Sequence, residues 1–384
     1  MRTLTLGVAV LALACPARGE AQRGWPAFVR GFDAFAAQDS VVGGSVLVMR
    51  DGRVVAHHEY GFGDRALGQR VDDRTIFHWA SITKTLTAVA VMQLRDRGRL
   101  SLDDHVTRYL PELAQVHDTF GAMDDITIRM LLSHSAGFQD PTWPYKAGKP
   151  WEPFEPARWE QLVAMLPYQE ILFRPGTRYG YSNPAFIYLA RIIEQLTGDP
   201  YQSYIYKNIW IPLGMTHSYF GATPYQLAAA RSNNYTVVRD SAGRVSRVAN
   251  GRDFDPGITI PNGGWNAPLG DVARWVAFLA GSTGGDTVLA RTSLAEMWRP
   301  LLATRDSTAP GDSVGLSFFV LWHGGTRVIG HTGHQAGFRS FFYLNPRTTA
   351  AVIAAFNTSN EADNDRSEQG FRAVRDAALE LITR

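Results

Sequence analysis

SITKTLTAVAVMQL, residues 81–94, is the stretch on which the reading of this chain turns. It is apolar or small on nearly every face, so it is expected to form a helix buried in the core rather than one lying on the surface. Ser81 and Lys84 stand three apart, on one side of the first turn and within hydrogen-bonding reach. The chain has 38 basic residues, and only Lys84, Lys146, Lys149 and Lys207 are lysine. A sequence that so prefers arginine needs a reason to place lysine in an apolar helix. What lysine does and arginine cannot is lose its proton when desolvated, becoming a relay for a neighbouring hydroxyl. The helix start adds free backbone amides suited to an oxyanion. The plain alternative is Ser81 as an N-cap, with Lys84 reaching outward to water.

Outward from this helix the pattern alternates. Trp25 to Asp39 carries Phe28, Val29, Phe32 and Phe35 at helical spacing. Two β runs follow, 44–49 and 53–60, joined by Asp51-Gly52, a strong hairpin signal. The middle is expected to be mainly helical: 81–97, 127–133, 184–197 ending at Gly198, and 201–209. Residues 139–160 interrupt it with prolines and with Trp143, Trp151 and Trp159, as a loop that rims a pocket would. A helix over 271–280 precedes β runs at 314–322, 326–331, 338–344 and 350–356, and a helix over 369–382 closes the chain. This order predicts an α+β fold, an antiparallel sheet built from both chain ends and flanked by helices, with an inserted, mainly helical lobe. The α/β lobe is placed at about 22–79 and 255–384 and the helical lobe at about 80–254.

Composition bounds the function. The 384 residues are 45% hydrophobic and 19% charged, a globular balance. A net charge of +2 without a basic run argues against nucleic acid as a partner. Residues 1–21 have the charged, apolar and small-residue parts of a secretory leader, so the mature chain is expected to be exported, periplasmic or secreted, with no transmembrane span. Its loss would remove Arg2, Arg18 and Glu20 and leave 36 basic against 35 acidic groups. The one cysteine, Cys15, falls inside the leader; Ala12 there makes a poor lipid-attachment signal. The mature chain would then have no thiol, excluding disulfides, cysteine catalysis and thiolate zinc.

Two further motifs carry chemistry. Tyr181-Ser182-Asn183 precedes Pro184; Asn183 as cap and Pro184 as first helical residue explain it structurally. A functional reading puts the Tyr181 phenolate beside Ser81 and uses the Asn183 amide to hold a substrate carbonyl. His331-Thr332-Gly333 is expected to end a strand along which a substrate backbone lies. His331 and His334 are three apart, but no third ligand has metal-site spacing, so no metal is expected.

Taken together and in this order, the three motifs resemble the serine β-lactamase and penicillin-binding family, in its class C β-lactamase, D,D-peptidase and β-lactamase-like esterase branch. Segments 131–138, 173–198, 211–215, 263–279 and 330–346 resemble that branch as well. The resemblance implies Ser81 as acylated nucleophile, Lys84 as its proton partner, Tyr181 as general base and Asn183 as substrate binder. It adds His331, Thr332 and Gly333 as the binding strand, and the amides of Ser81 and His334 as oxyanion hole. His134 is read as a structural hydrogen-bonder. No cofactor is implied, and the substrate is a small molecule or peptide, such as a cell-wall peptide or an ester. His331 departs from the lysine common in β-lactamases, which argues against efficient β-lactam hydrolysis, and Arg339 is the candidate replacement cation. If His331 binds a substrate carboxylate as imidazolium, efficiency should fall as the pH rises through about 6 to 7. The competing readings are a class C-like β-lactamase and a non-catalytic penicillin-binding receptor.

Overall fold

The Asp51-Gly52 pair makes the turn its sequence announces, with φ of 49° and 73°, both in the left-handed region a two-residue hairpin requires. It joins β1 (Gly43–Arg50) to β2 (Arg53–Asp64). The computed structural model describes residues 18–138, 156–282, 287–304 and 311–384. β1 is the hinge of the architecture. On one side it pairs with β2, which pairs with β3 (Gln69–Arg70); β4 (Ile76–His78) then leads to the Ser81 turn.

The inserted region opens with α2 (Thr83–Asp96), α3 (Ile128–Leu132), α4 (Trp159–Met165), α5 (Pro184–Thr197), α6 (Tyr201–Ile205) and α7 (Ile211–Leu213). It continues with β5 (Tyr219–Phe220), β6 (Asn234–Arg239), β7 (Val245–Gly251), α8 (Ile260–Gly263) and β8 (Trp265–Pro268). Then come α9 (Leu269–Ala280), α10 (Arg291–Met297), β9 (Leu302–Ala303), β10 (Ser313–Val314), β11 (Phe319–His323), β12 (Thr326–Gln335), β13 (Phe338–Leu344), β14 (Ala351–Phe356) and β15 (Thr358–Asn360). The chain closes with α11 (Asn364–Thr383), which packs beside α1 (Arg18–Gln38).

The main sheet has the order β3-β2-β1-β14-β13-β12-β11-β10-β9, so strands from both ends of the chain meet at its centre. β1 and β14 run antiparallel, from Gly44 opposite Phe356 to Met49 opposite Ala351. Alternation sorts their side chains. Val46 and Val48 of β1, with Val352, Ala354 and Phe356 of β14, face a cluster containing Phe28, Phe32 and Phe35 of α1 and Phe371 and Val374 of α11. Leu47, Met49, Ile353 and Ala355 face the larger core that contains α2 and α9. Helices therefore cover both faces of a sheet built from both chain ends, the α+β arrangement expected from the sequence. α2 lies deep in the larger core: every residue from Thr83 to Leu94 is buried.

Three elements differ from their sequence pattern. The run 314–322 breaks into β10 and β11, because Gly315 presses against Met297 O and Leu316 donates its N–H there. The strand expected to end at His331 continues to Gln335 and turns through Ala336, so His331-Thr332-Gly333 lies within β12. The region read as mainly helical also holds the β6–β7 hairpin, and β6 pairs in parallel with β15. A second small sheet, β4-β8-β5, straddles the same region. Of the 139–160 loop, 139–155 and hence Trp143 and Trp151 lie outside the described residues; Trp159 begins α4 and donates to Glu112 Oε1 at 2.9 Å. Cys15 and most of the leader also lie outside them, while 18–21 form the first turn of α1. Among the described residues no helix is long and apolar enough to cross a membrane.

Close strand packing gives a test. A Cβ on Gly330 would lie 2.0 Å from Phe342 O and 2.4 Å from Tyr343 Cδ1, inside the buried sheet. Gly330→Ala is expected to lower unfolding free energy by about 1–3 kcal/mol. A shifted urea midpoint would show it, and an unshifted one would mean that β12 is free to move away from β13.

Candidate active site

The local fold begins with a strained residue. Ala80 has φ of 48°, a left-handed conformation that costs a non-glycine residue free energy and turns the chain sharply out of β4. Trp79 N–H bonds to Trp265 O at 2.8 Å, holding the strand side of the turn to β8. Residues 80–82 then make one 3₁₀ turn before α2 starts at Thr83. Ile82 N–H returns to Trp79 O, whereas Ser81 N–H takes no acceptor among the described residues. Ser81 is the exposed point of this turn, half-buried among fully buried neighbours.

Lys84 is fully buried. Its Nζ lies 3.1 Å from Ser81 Oγ, 2.8 Å from Asn183 Oδ1 and 2.7 Å from the Asn262 carbonyl oxygen. The last two atoms can only accept, so they fix two of the nitrogen's hydrogens. The remaining position faces Ser81 Oγ and can either donate a proton or receive one. The outward-reaching alternative for Lys84 is thereby excluded.

Asn183 stands at the helix-start position, but its backbone is already helical and its side chain caps nothing. It turns instead to Lys84 and to Asn262 Nδ2, which donates to the same Oδ1 at 3.2 Å. With Oδ1 engaged, the Asn183 amide group is the half left to donate to a substrate carbonyl. Tyr181 stacks on His134, with centroids 4.5 Å apart, and Lys84 Nζ lies 4.9 Å from its ring centre. His134 grips the chain on either side of Tyr181: its carbonyl accepts from Gly180 N–H and its Nδ1 from Ser182 N–H. This residue, itself at positive φ, sets the place of the tyrosine.

β12 supplies another part of the site. A Cβ on Gly333 would come within 2.3 Å of Trp79 O and 2.5 Å of Ser340 Oγ. The glycine is thus required by the nucleophile's own turn, not by a passing substrate. Ser81, Arg178, Tyr179, Gly180, Tyr181 and Asn183 line a cleft of about 640 Å³ together with Phe319, His331, Thr332 and His334. Of the catalytic and substrate-binding residues expected from the sequence, Ser81, Tyr181, Asn183, His331, Thr332 and His334 border it, while Lys84 and Gly333, the latter against Trp79, do not. A larger hollow between α1 and α11, about 760 Å³, is lined mostly by small and apolar side chains and holds no serine, histidine or tyrosine.

Two expectations fail here. His331 is 1% exposed; burial first, and the Lys84 charge second, push its pKa down to about 3. Its Nδ1 donates to Thr332 O at 2.6 Å, and Nε2 is buried without a partner. A neutral ring cannot bind a carboxylate as imidazolium, so the fall in efficiency through pH 6 to 7 is not expected on its account. Arg339 does not replace it: its guanidinium is bound by Ser367 Oγ at 2.9 Å and Glu368 Oε1 at 2.6 Å and lies over Phe371. Nor do His331 and His334 join a metal-binding group among the described residues.

Asn262 is the functional residue that motif reading missed. Its only sequence signal is an Asn before Gly263-Gly264, where the tight backbone at Gly264, 2.8 Å from Ile260 Cα by its absent Cβ, presents the Asn262 carbonyl to Lys84.

The arrangement defines a class: a serine on the first turn of a buried helix, a lysine amine aimed at its hydroxyl, and a tyrosine and an asparagine from a second loop. The model described as Beta-lactamase matches residues 28–377, and the chain belongs to that family. Protein flp of Staphylococcus aureus (strain COL) is 24% identical over 331 residues, 84% of this chain and 60% of that protein. The chain thus spans about 60% of the length of the first curated relatives it matches. A D-stereospecific amidohydrolase from a Streptomyces species is 25% identical, with TM-score 0.70 over 92% of this chain and 98% of that one. The D-amino acid amidase of Ochrobactrum anthropi SV3 with D-phenylalanine has TM-score 0.76 at 21% identity, over 93% and 98%. EstCE1, a hydrolase with promiscuous acyltransferase activity, has TM-score 0.74 at 24% identity, over 93% and 99%.

Buried neutral histidines predict acid sensitivity. Burial is the largest cause of depression for His331, for His134 and for His78, whose pKa falls to about 4. Their folded values lie below the ordinary 6.5, so below that pH the unfolded chain binds protons the folded one refuses. Unfolding free energy should therefore fall as the pH drops from about 6.5 to 4, by on the order of 1.4 kcal/mol per unit for each ring. Urea titrations at several pH values should show a shallower slope for His331→Gln; an identical slope would mean that His331 is protonated in the fold.

Proposed function

We propose that the chain is an exported serine hydrolase that forms an acyl-enzyme at Ser81 on amide or ester bonds, of the D,D-carboxypeptidase, D-amino-acid peptidase or esterase type. The observation that carries this reading is the Lys84 nitrogen, held by two obligate acceptors with its third position 3.1 Å from Ser81 Oγ. Ser81 Oγ attacks the carbonyl while its proton passes to Tyr181, assisted by Lys84 beside the ring. The developing oxyanion meets the amides of Ser81 and His334. The proton then goes to the departing amine or alcohol, leaving the acyl group on Ser81. Water attacks that ester, giving its proton to the same base, and the acid leaves as Ser81 Oγ regains a hydrogen. No step calls on a metal or an organic cofactor. The amidase and hydrolase names among the structural relatives favour this range of substrates, and export of the mature chain rests on the leader-like pattern of residues 1–21.

Intact-mass spectrometry after mixing with a penicillin or with a p-nitrophenyl ester tests the reading. Turnover of the ester with a transient adduct at Ser81 is expected. A lasting penicillin adduct without turnover of either compound would make the protein a receptor, and no adduct with either would refute acylation. Ser81→Ala should abolish turnover. Lys84→Arg keeps a cation but should lose nearly as much, because arginine cannot hand over its proton; wild-type rates in that variant would remove the relay.

A further inference from the structure

The groups nearest the cleft that could answer a negative charge are already committed. Lys84 is enclosed by three acceptors, His331 is neutral, and Arg339 is spent on Glu368 and Ser367. Arg178 is not. It lines the cleft, is half-buried, and makes neither an ion pair nor a hydrogen bond with any of the described residues.

Its position is nevertheless fixed. The guanidinium carbon lies 4.2 Å from the ring centre of Phe173, which is buried. A Cβ on Gly180 would fall 2.6 Å from that same ring, so the segment carrying Arg178 is pressed onto it. A guanidinium stacked on an aromatic face is held flat while its in-plane N–H groups stay open to a forked acceptor. Arg178 is three residues before Tyr181, and three residues of chain span at most about 11 Å. Arg178 and Ser81 also line the same cleft, so one substrate spanning it has room to place a carbonyl at Ser81 and a second polar group at Arg178.

We propose that Arg178 is the specificity-determining residue of the cleft, holding a carboxylate of the acyl substrate in a bidentate pair. The proposal rests on acylation at Ser81. It makes the substrate class anionic and moves the counter-ion from the binding strand to the loop that carries Tyr181. A flat fork with no partner among the described residues fits a planar carboxylate better than it fits a point charge.

Three esters test it: p-nitrophenyl valerate, which is neutral; mono-p-nitrophenyl glutarate, with a carboxylate on the acyl side; and 4-carboxyphenyl valerate, with one on the leaving side. For Arg178→Gln, the ratio of kcat/KM on a carboxylate ester to that on the neutral ester should fall by about tenfold or more, the size of one charge-assisted hydrogen bond. The loss should sit in KM, and the ester that shows it identifies the side on which the anion lies. Arg178→Lys should recover part of the ratio, since it restores charge without the fork. A ratio unchanged in Arg178→Gln on both carboxylate esters would overturn the proposal. Each ratio is taken within one variant, so partial unfolding cancels. Absence of turnover of any ester by the wild-type chain would instead count against acylation at Ser81.

Discussion

A single amine nitrogen in a dry interior constrains everything around it. Lys84 stands on a helix buried on every face, where an unpaired cation would cost several kcal/mol, so its surroundings must supply acceptors. They come from one near and two distant parts of the chain: Ser81 one turn before, Asn183 from the loop ahead of α5, and the Asn262 carbonyl from α8. Removing any of these would leave a buried donor unsatisfied. The same requirement that stabilises the nitrogen also brings the hydroxyl, the tyrosine loop and the inserted helices to one point.

The second constraint is steric. β12 passes so near the nucleophile's turn that position 333 has no room for a side chain, and Ala80 adopts a left-handed conformation in that turn. Strand and turn fix each other, which keeps the amides at Ser81 and His334 in one arrangement. Next to them, burial leaves His331 neutral with one ring nitrogen committed to Thr332 O. A histidine in this place is a packed, polar wall element. The wall therefore offers shape and dipoles, and any charge recognition must come from elsewhere on the cleft.

The sequence made much of this legible because the physics was local. The apolar helix from Ser81 onward, the Asp51-Gly52 hairpin and the Pro184 to Gly198 helix each carry their signals within a few residues, and all three formed. Lys84 was legible from its oddness, a rare lysine in an apolar run. What stayed hidden depends on neighbours distant in sequence. The Asn262 acceptor, the Trp79 carbonyl facing Gly333, and the engagement of Arg339 by Glu368 arise only when the sheet brings remote segments together. The charge state of His331 was left open for the same reason, since it follows from burial that no motif records. The β6–β7 hairpin escaped because β7 is almost entirely exposed and has no apolar alternation to reveal it.

The pairing of β1 with β14 also has a temporal side. These strands are separated by some three hundred residues, and both amphipathic helices at the chain ends rest on the sheet they form. During synthesis the first hairpin must wait, one edge unsatisfied and one face bare, until β14 has emerged. The inserted helices, whose backbone hydrogen bonds are local, can begin to form meanwhile. Completion of the sheet thus follows long after its first strands, and loss of β14 or α11 should be felt first in β1 and α1, far away in sequence but adjacent in space.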